Sequence, residues 1–157
     1  MATPGLELVL EGPLAGDPIA VNTYAATEVE QDLFGIDLLF TDDLQATSSG
    51  DYTLVSGMAA LKQAIRIILI TTPGEYAVNP SFGCGLKAFC KKRATKSDRD
   101  SLRQTIIEQL TLEPRIQKVS DVVVESLTSG NLPGVKVTVK IMALGREQSF
   151  SLQQFSD

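Results

Sequence analysis

A strict two-residue alternation near the end of the chain constrains its fold more than any other feature. The apolar members are Val135, Val137, Val139 and Ile141, and the residues between them include Lys136, Thr138 and Lys140. Because successive side chains of a strand point to opposite faces, this pattern predicts an antiparallel strand with one buried and one solvated face. Turn residues at 128–133 and at Gly145 separate it from β-rich segments on either side, so we expect three consecutive strands.

Two stretches before these strands show the spacing of amphipathic helices instead. Residues 57–71 and 98–112 each repeat apolar residues every three or four positions. Ser56 and Ser97 are the expected N-caps, because a serine hydroxyl accepts a hydrogen bond from a first-turn N–H group. A proline follows each stretch and ends it. The sequence therefore predicts an α+β fold with two main helices packed on a small, mostly antiparallel sheet.

The beginning of the chain differs in character from the rest. Frequent Gly and Pro residues predict an extended, acidic N-terminal arm over 1–32, followed by a folded domain at 33–157. Residues 1–61 contain ten acidic side chains and no Lys or Arg, whereas residues 62–157 contain nine acidic and 14 basic ones. The resulting charges of −10 and +5 leave two interpretations open, an acidic segment that binds a basic surface or one that is simply solvated.

The residues that are missing exclude several classes of chemistry. The chain has no His, which removes His-dependent hydrolysis and most zinc sites. Its two cysteines, Cys84 and Cys90, are too few for a four-ligand site and are expected to be reduced. We therefore expect no metal and no cofactor. No apolar stretch approaches the length of a membrane span, so a membrane is not an expected partner.

Two alternatives with different chemistry remain open on the residues alone. Glu75, Glu108 and Glu113 are the carboxylates with which a peptidoglycan hydrolase would work, although their spacing selects no pair. A basic cluster within 87–103 is the surface that a nucleic-acid-binding module would use. It comprises Lys87, Lys91, Lys92, Arg93, Lys96, Arg99 and Arg103. The net charge of −5 and the single interleaved aromatic, Phe89, argue against nucleic acid, and an acidic protein partner fits the same cluster.

The tripeptide Glu113-Pro114-Arg115 is the sharpest short motif. Proline fixes the chain direction at the end of a helix, so the opposite charges that flank it point in defined directions. Arg115 is suited to a bidentate contact with a carboxylate, and a plain surface ion pair is the alternative. By contrast, residues 83–87 lack the phosphate-loop pattern and are interpreted as a tight turn.

The order of several short segments resembles the short baseplate wedge proteins of contractile-tailed phages. The match extends over roughly residues 33–127, and the final hairpin is compatible with it. The segments that carry it are 34–38 (FGIDL), 49–51 (SGD), 55–57 (VSG), 61–65 (LKQAI), 72–76 (TPGEY), 79–83 (NPSFG) and 110–116 (LTLEPRI).

The resemblance implies a structural subunit rather than an enzyme. Family members initiate the sheath around the tail tube, and related subunits occur in type VI secretion and other contractile injection machines. The implied partners are other wedge subunits, tube and hub proteins and the sheath protein, with multiple copies in a ring and no nucleic acid. The implied location is the virion baseplate, assembled in the host cytoplasm. Some family labels include the word lysozyme, but no acid–base pair in this sequence supports that activity.

The resemblance also implies a mechanism of assembly. The family fold is similar to the strand-exchanging domain of the sheath protein, so the subunit is expected to offer its sheet for strand addition. In that mechanism Val135, Val137 and Val139 fix the register of the added strands. The Glu-Pro-Arg element of the family is implicated in baseplate assembly, which assigns Glu113, Pro114 and Arg115 to protein interaction.

Overall fold

The computed structural model describes residues 7–9, 33–40, 43–90, 94–130 and 132–156, and these confirm the α+β prediction. The helices are α1 (Met58–Ile70), α2 (Leu86–Cys90) and α3 (Lys96–Thr111), and the strands are β1 (Glu7–Val9), β2 (Ile36–Leu38), β3 (Leu54–Ser56), β4 (Lys118–Ser129), β5 (Leu132–Ala143) and β6 (Arg146–Phe155). None of these described helices is both long and apolar enough to cross a membrane. Apart from β1, the predicted arm 1–32 lies outside the described residues.

The chain divides into a smaller unit, Ile19–Ile65, and a larger unit made of Met1–Pro18 and Arg66–Asp157. A four-stranded antiparallel sheet in the order β1-β6-β5-β4 forms the framework of the larger unit. β4 and β5 are 12-residue strands joined as a hairpin, with one register shift between Val119 and Asp121. β6 pairs with β5 along all ten of its residues, which confirms the three consecutive strands.

The core of the larger unit includes the buried side of α3 and the inner face of the sheet. Leu102, Ile106 and Leu110 lie on successive turns of α3 and are buried, as their spacing predicts. α3 packs against β4, whose Val122 is also buried. Burial of each aliphatic side chain of this kind contributes roughly 1.5–3 kcal/mol, so the contact fixes the direction in which the chain enters β4.

α3 begins two residues earlier than the sequence indicates, and the predicted N-cap at Ser97 is wrong. The hydroxyl of Thr95 accepts a hydrogen bond from the N–H of Asp98 at 3.2 Å, and the carboxylate of Asp98 accepts one from the N–H of Thr95 at 2.8 Å. This reciprocal pair is a capping box. Ser97 has an acidic residue at the same spacing, Asp100, so the sequence pattern alone does not separate the two caps.

The smaller unit contains a two-stranded antiparallel ribbon, β2–β3, followed by the first part of α1. The paired residues are Ile36–Ser56, Asp37–Val55 and Leu38–Leu54. The buried amide of Gln63 in α1 accepts from the N–H of Phe40 at 2.9 Å and donates to the carbonyl of Leu38 at 2.8 Å, which ties the chain after β2 to the helix. Ser56, the other expected N-cap, is the last residue of β3, and Gly57 with φ 63° turns the chain into α1.

Candidate functional site

Residues 113–115, here called the EPR corner, connect α3 to β4. α3 ends at Thr111, and the N–H of Glu113 still donates to the carbonyl of Leu110 at 3.2 Å. A turn then closes when the N–H of Ile116 donates to the carbonyl of Glu113 at 3.0 Å, and Ile116 is buried. The corner is therefore tied to the fold on both of its sides.

Within the EPR corner, Arg115 binds Glu113 in a bidentate ion pair. Arg115 Nε donates to Glu113 Oε1 at 2.5 Å, and Arg115 Nη2 donates to Oε2 at 3.0 Å. The side chains of Arg115 and Glu113 are only 25% and 12% exposed. The hydrogen bond from Arg115 holds the pKa of Glu113 below its usual value, although burial opposes this shift. The carboxylate contact suggested for Arg115 is thus made within the chain.

The other predicted site residues, Val135, Val137 and Val139, lie in β5. This strand is paired with β4 on one side and with β6 on the other. The three side chains are at most 1% exposed, so they belong to the buried face of the sheet and not to an edge. They can influence an added strand only through the register that they fix between neighbouring strands.

β4 is an edge strand, because β5 lies on one side of it and no strand of the described residues lies on the other. Two arginines of α3 reach this strand. Arg103 Nε donates to the carbonyl of Val122 at 2.7 Å, and Arg103 Nη2 lies 3.5 Å from the carboxylate of Asp121. Arg99 Nη1 donates to Ser126 Oγ at 3.4 Å. Side chains of α3 therefore occupy part of β4 that would otherwise be open to another strand.

These contacts bear on the basic cluster that the sequence presents. Arg99 also donates to the carbonyl of Ala94 at 3.2 Å, so both arginines are engaged by the chain itself. Residues 91–93 of the cluster lie outside the described residues. A nucleic-acid surface needs cations that face phosphates, and Arg99 and Arg103 instead face protein oxygen atoms.

The loop between α1 and α2 is held by contacts that have no signal in the sequence. Gln109 of α3 accepts from the N–H of Gly83 at 3.0 Å and donates to the carbonyl of Ser81 at 3.1 Å. The N–H of Cys84 donates to the carbonyl of Ile68 in the last turn of α1, and the N–H of Gly85 donates to the carbonyl of Thr71 just after the helix, each at 2.9 Å. Since all three N–H groups have protein partners, they are not free to cradle a phosphate, and the segment leads directly into α2 at Leu86.

The carboxylates considered for a hydrolase all have local partners. Glu75 accepts from the N–H of Thr72 at 2.8 Å, and Glu108 accepts from Gln104 Nε2 at 2.9 Å. The lowered pKa of Glu113 is opposite to the raised pKa that a general acid needs near neutral pH. Within the described ranges, no group of three or more His, Cys, Asp or Glu side chains is placed to hold a metal ion.

Cys84 and Cys90 are free and buried thiols. Burial raises the pKa of Cys84 to about 12 and that of Cys90 to about 11. Cys90 Sγ donates to the carbonyl of Gln154 at 3.2 Å. Both groups are therefore protonated at neutral pH, which makes them poor nucleophiles and places them with the structural residues of the core.

Comparison with known proteins identifies the family. The family model described as baseplate wedge protein gp25 matches residues 55–147, which is more than half of the chain. The chain belongs to this baseplate wedge family. The matched residues include α1, α2 and α3, the EPR corner and the β4–β5 hairpin. The resemblance seen in the sequence is thereby confirmed, and the chain is a structural protein of the baseplate. No curated protein matches the sequence.

Two solved structures are similar to this wedge protein at low sequence identity. One is a chain in the cryo-EM structure of the anti-feeding prophage baseplate, with 20% identity and a TM-score of 0.54 over 71% of this chain and 87% of that chain. The other is the crystal structure of a putative tail lysozyme from Geobacter sulfurreducens, with 21% identity and a TM-score of 0.48 over 60% of this chain and 86% of that chain. The first likeness supports the α+β fold described above.

Proposed function

We propose that this wedge protein joins the wedge to the tail tube and initiates the sheath by accepting a strand of the sheath protein. The observation that carries the proposal is β4, a 12-residue strand with pairing on only one side within the described part of the chain. An edge strand of this length is a template for a strand of another chain. Main-chain hydrogen bonds along the edge would then supply the affinity.

The contacts of α3 limit where such a strand binds. Arg103 already occupies a main-chain carbonyl, that of Val122, whereas Arg99 contacts only the side chain of Ser126, so the added strand pairs with the later part of β4, toward Ser129. Val123, at the start of that part, is 41% exposed. Val135, Val137 and Val139 act indirectly in this proposal, because their burial holds β4 in register with β5.

The proposed partners are other wedge subunits, tube and hub proteins and the sheath protein. Multiple copies of the subunit form a ring, and the ring is assembled in the host cytoplasm. In this proposal the EPR corner contacts a neighbouring wedge subunit, since its ion pair and its two backbone bonds give it a defined shape. The corner and β4 then serve two different neighbours.

Particles that lack this subunit test the proposal. We expect tail tubes and baseplate components without a sheath, because the first sheath ring has no strand to which it can bind. Negative-stain electron microscopy distinguishes sheathed from bare tubes, and expression of the wild-type gene in trans is the control that restores the sheath. Normally sheathed tails in the absence of the subunit contradict the proposal.

The role of the EPR corner is tested separately with Arg115→Ala. We expect the variant to fold but to enter particles less often than the wild type, since the corner loses its ion pair. The measurement is the ratio of this subunit to tube protein in purified particles, together with thermal unfolding of the free subunit. Arg146→Ala, at the exposed first residue of β6, is the matched control. Unchanged incorporation removes Arg115 from the site.

The proposal also holds that the chain breaks no bonds in peptidoglycan. A turbidity assay on purified cell walls is expected to show no clearing by the wild-type protein. Clearing that is lost in Glu75→Gln or Glu113→Gln contradicts this part of the proposal and favours a hydrolase.

A further inference from the structure

The smaller unit carries an apolar surface that strand acceptance by β4 does not use. In the β2–β3 ribbon, Leu38 lies directly opposite Leu54, and Ile36 is two residues before Leu38. Residues that are directly opposed, and residues two apart in one strand, lie on the same face of a sheet. Ile36, Leu38 and Leu54 therefore share one face, and Tyr52, two residues before Leu54, continues it.

This face, here called the ribbon patch, is open to solvent. The exposed fractions of Ile36, Leu38, Tyr52 and Leu54 are 61%, 38%, 59% and 63%. Leu39, which follows Leu38 and points to the opposite side, is only 6% exposed. Single exposed apolar side chains are ordinary, but several of them on one face are typical of an interaction surface.

The acidic side chains of the smaller unit indicate what kind of partner fits the ribbon patch. Asp43 and Asp51 are exposed in this unit, and Asp51 directly precedes Tyr52 of the patch. The sequence contains no Lys or Arg before Lys62, so this segment of the chain carries no positive side chain. A complementary surface is therefore apolar at its centre and carries Lys or Arg at its rim.

We propose that the ribbon patch binds an apolar segment flanked by basic residues in another protein of the baseplate. Residues 10–32 of the chain itself are a poorer occupant, because they contain acidic side chains and no basic ones. All four residues of the patch precede residue 55, at which the match to the wedge family begins. The family model therefore does not cover the ribbon patch, whereas the segments that resemble the family in sequence include Ile36 and Leu38.

Photocrosslinking in assembled particles tests this proposal. The substitutions Tyr52→p-benzoylphenylalanine and Leu54→p-benzoylphenylalanine place a photoreactive group in the patch, and the same replacement of Leu112, which is 72% exposed in the larger unit, is the control. We expect both patch positions, and not position 112, to cross-link to the same peptide of another baseplate protein, with apolar residues next to Lys or Arg. Cross-links to a second copy of this chain or to residues 10–32, or none from the patch, overturn the proposal.

A pair of charge reversals tests the basic rim of the partner. In the variant that combines Asp43→Lys with Asp51→Lys, we expect the cross-link from position 52 to fall several-fold, because two attractive contacts become repulsive. Glu108→Lys in α3 is the control for an exposed charge change outside the smaller unit, and it should leave the yield unchanged. Equal cross-link yields in the protein without charge changes, the double charge reversal and Glu108→Lys overturn the proposal that the partner has a basic rim.

The outcome is independent of strand acceptance by β4, because the cross-links are scored in particles that contain a sheath. Sheathed particles without a cross-link from the patch contradict the ribbon proposal alone. If the charge-reversal variant does not enter particles while the free subunit still unfolds at the wild-type temperature, the ribbon proposal is supported.

Discussion

Glu113 shows how a single carboxylate can make one corner of the fold depend on pH. Its folded pKa lies below the ordinary value of about 4.3, so its charge stabilises the folded state above that pH. The stabilisation is lost as the pH falls through the folded pKa. We therefore expect Glu113→Gln to lower the free energy of unfolding by about 1 kcal/mol at neutral pH, and the deficit to vanish well below about pH 4.

Urea denaturation of wild type and Glu113→Gln, at neutral pH and well below about pH 4, measures this difference in the free energy of unfolding. Glu108→Gln is the matched control, because Glu108 is an exposed helical residue whose partner is Gln104. Its effect should stay within about 0.5 kcal/mol at either pH. A deficit of Glu113→Gln that is the same at both pH values is inconsistent with an ion pair to Arg115.

Gly83 is required by space as well as by backbone conformation. Its φ is 102°, and a Cβ atom at this position would lie 2.3 Å from the carbonyl oxygen of Thr71. Gly145 has a φ of 68° but no atom within 4 Å of such a Cβ. We expect Gly83→Ala to destabilise the fold by about 3 kcal/mol or more and Gly145→Ala by about 1 kcal/mol. Equal losses in thermal or urea unfolding contradict the close approach to Thr71.

At the scale of the element, the start of α3 gives a direct comparison of two candidate caps. Thr95 makes the capping box with Asp98, whereas Ser97 lies within the first turn. We expect Thr95→Ala to cost about 1 kcal/mol and Ser97→Ala to stay within about 0.5 kcal/mol. Urea denaturation of the two variants measures both values. A larger loss for Ser97→Ala means that the helix begins at the later residue in solution.

The bodies of the elements follow from the sequence, and their ends and edges do not. β5 alternates strictly because one of its faces is buried, so its pattern is read directly from Val135 to Ile141. β4 has no such clean pattern, because an edge strand exposes residues such as Val123 on a largely open surface. The contacts of Gln109 with the loop join residues 26 and 28 positions apart, and no local pattern indicates them.

In the candidate site, too, some residues can be predicted from the sequence and others cannot. The EPR corner is a local motif, since Glu113 and Arg115 are two residues apart, and its position after a helix is visible in the sequence. The role of Arg103 is not visible, because the sequence groups it with six other basic residues. Only the packing of α3 on β4 directs its guanidinium to the carbonyl of Val122.

At the scale of the whole molecule, the asymmetry of charge follows the proposed surfaces. The ribbon patch lies in the part of the chain without Lys or Arg, whereas the edge of β4 is bordered by arginines of α3. Because the two surfaces differ in charge, they favour different partners. This difference reduces the chance that one partner occupies both the ribbon patch and the edge of β4.

An assembly protein with an edge strand must also avoid pairing with copies of itself before assembly. Arg103 is suited to this task, because a long basic side chain on an edge strand carbonyl competes with an incoming strand. We expect Arg103→Ala to increase self-association of the free subunit, as measured by sedimentation velocity across a range of protein concentrations. Lys96→Ala, which removes the same charge from an exposed position of α3, is the control and should sediment as the wild type does. If Arg103→Ala and wild type have the same sedimentation profile while both remain folded, Arg103 does not protect the edge of β4 from pairing with another copy of the chain.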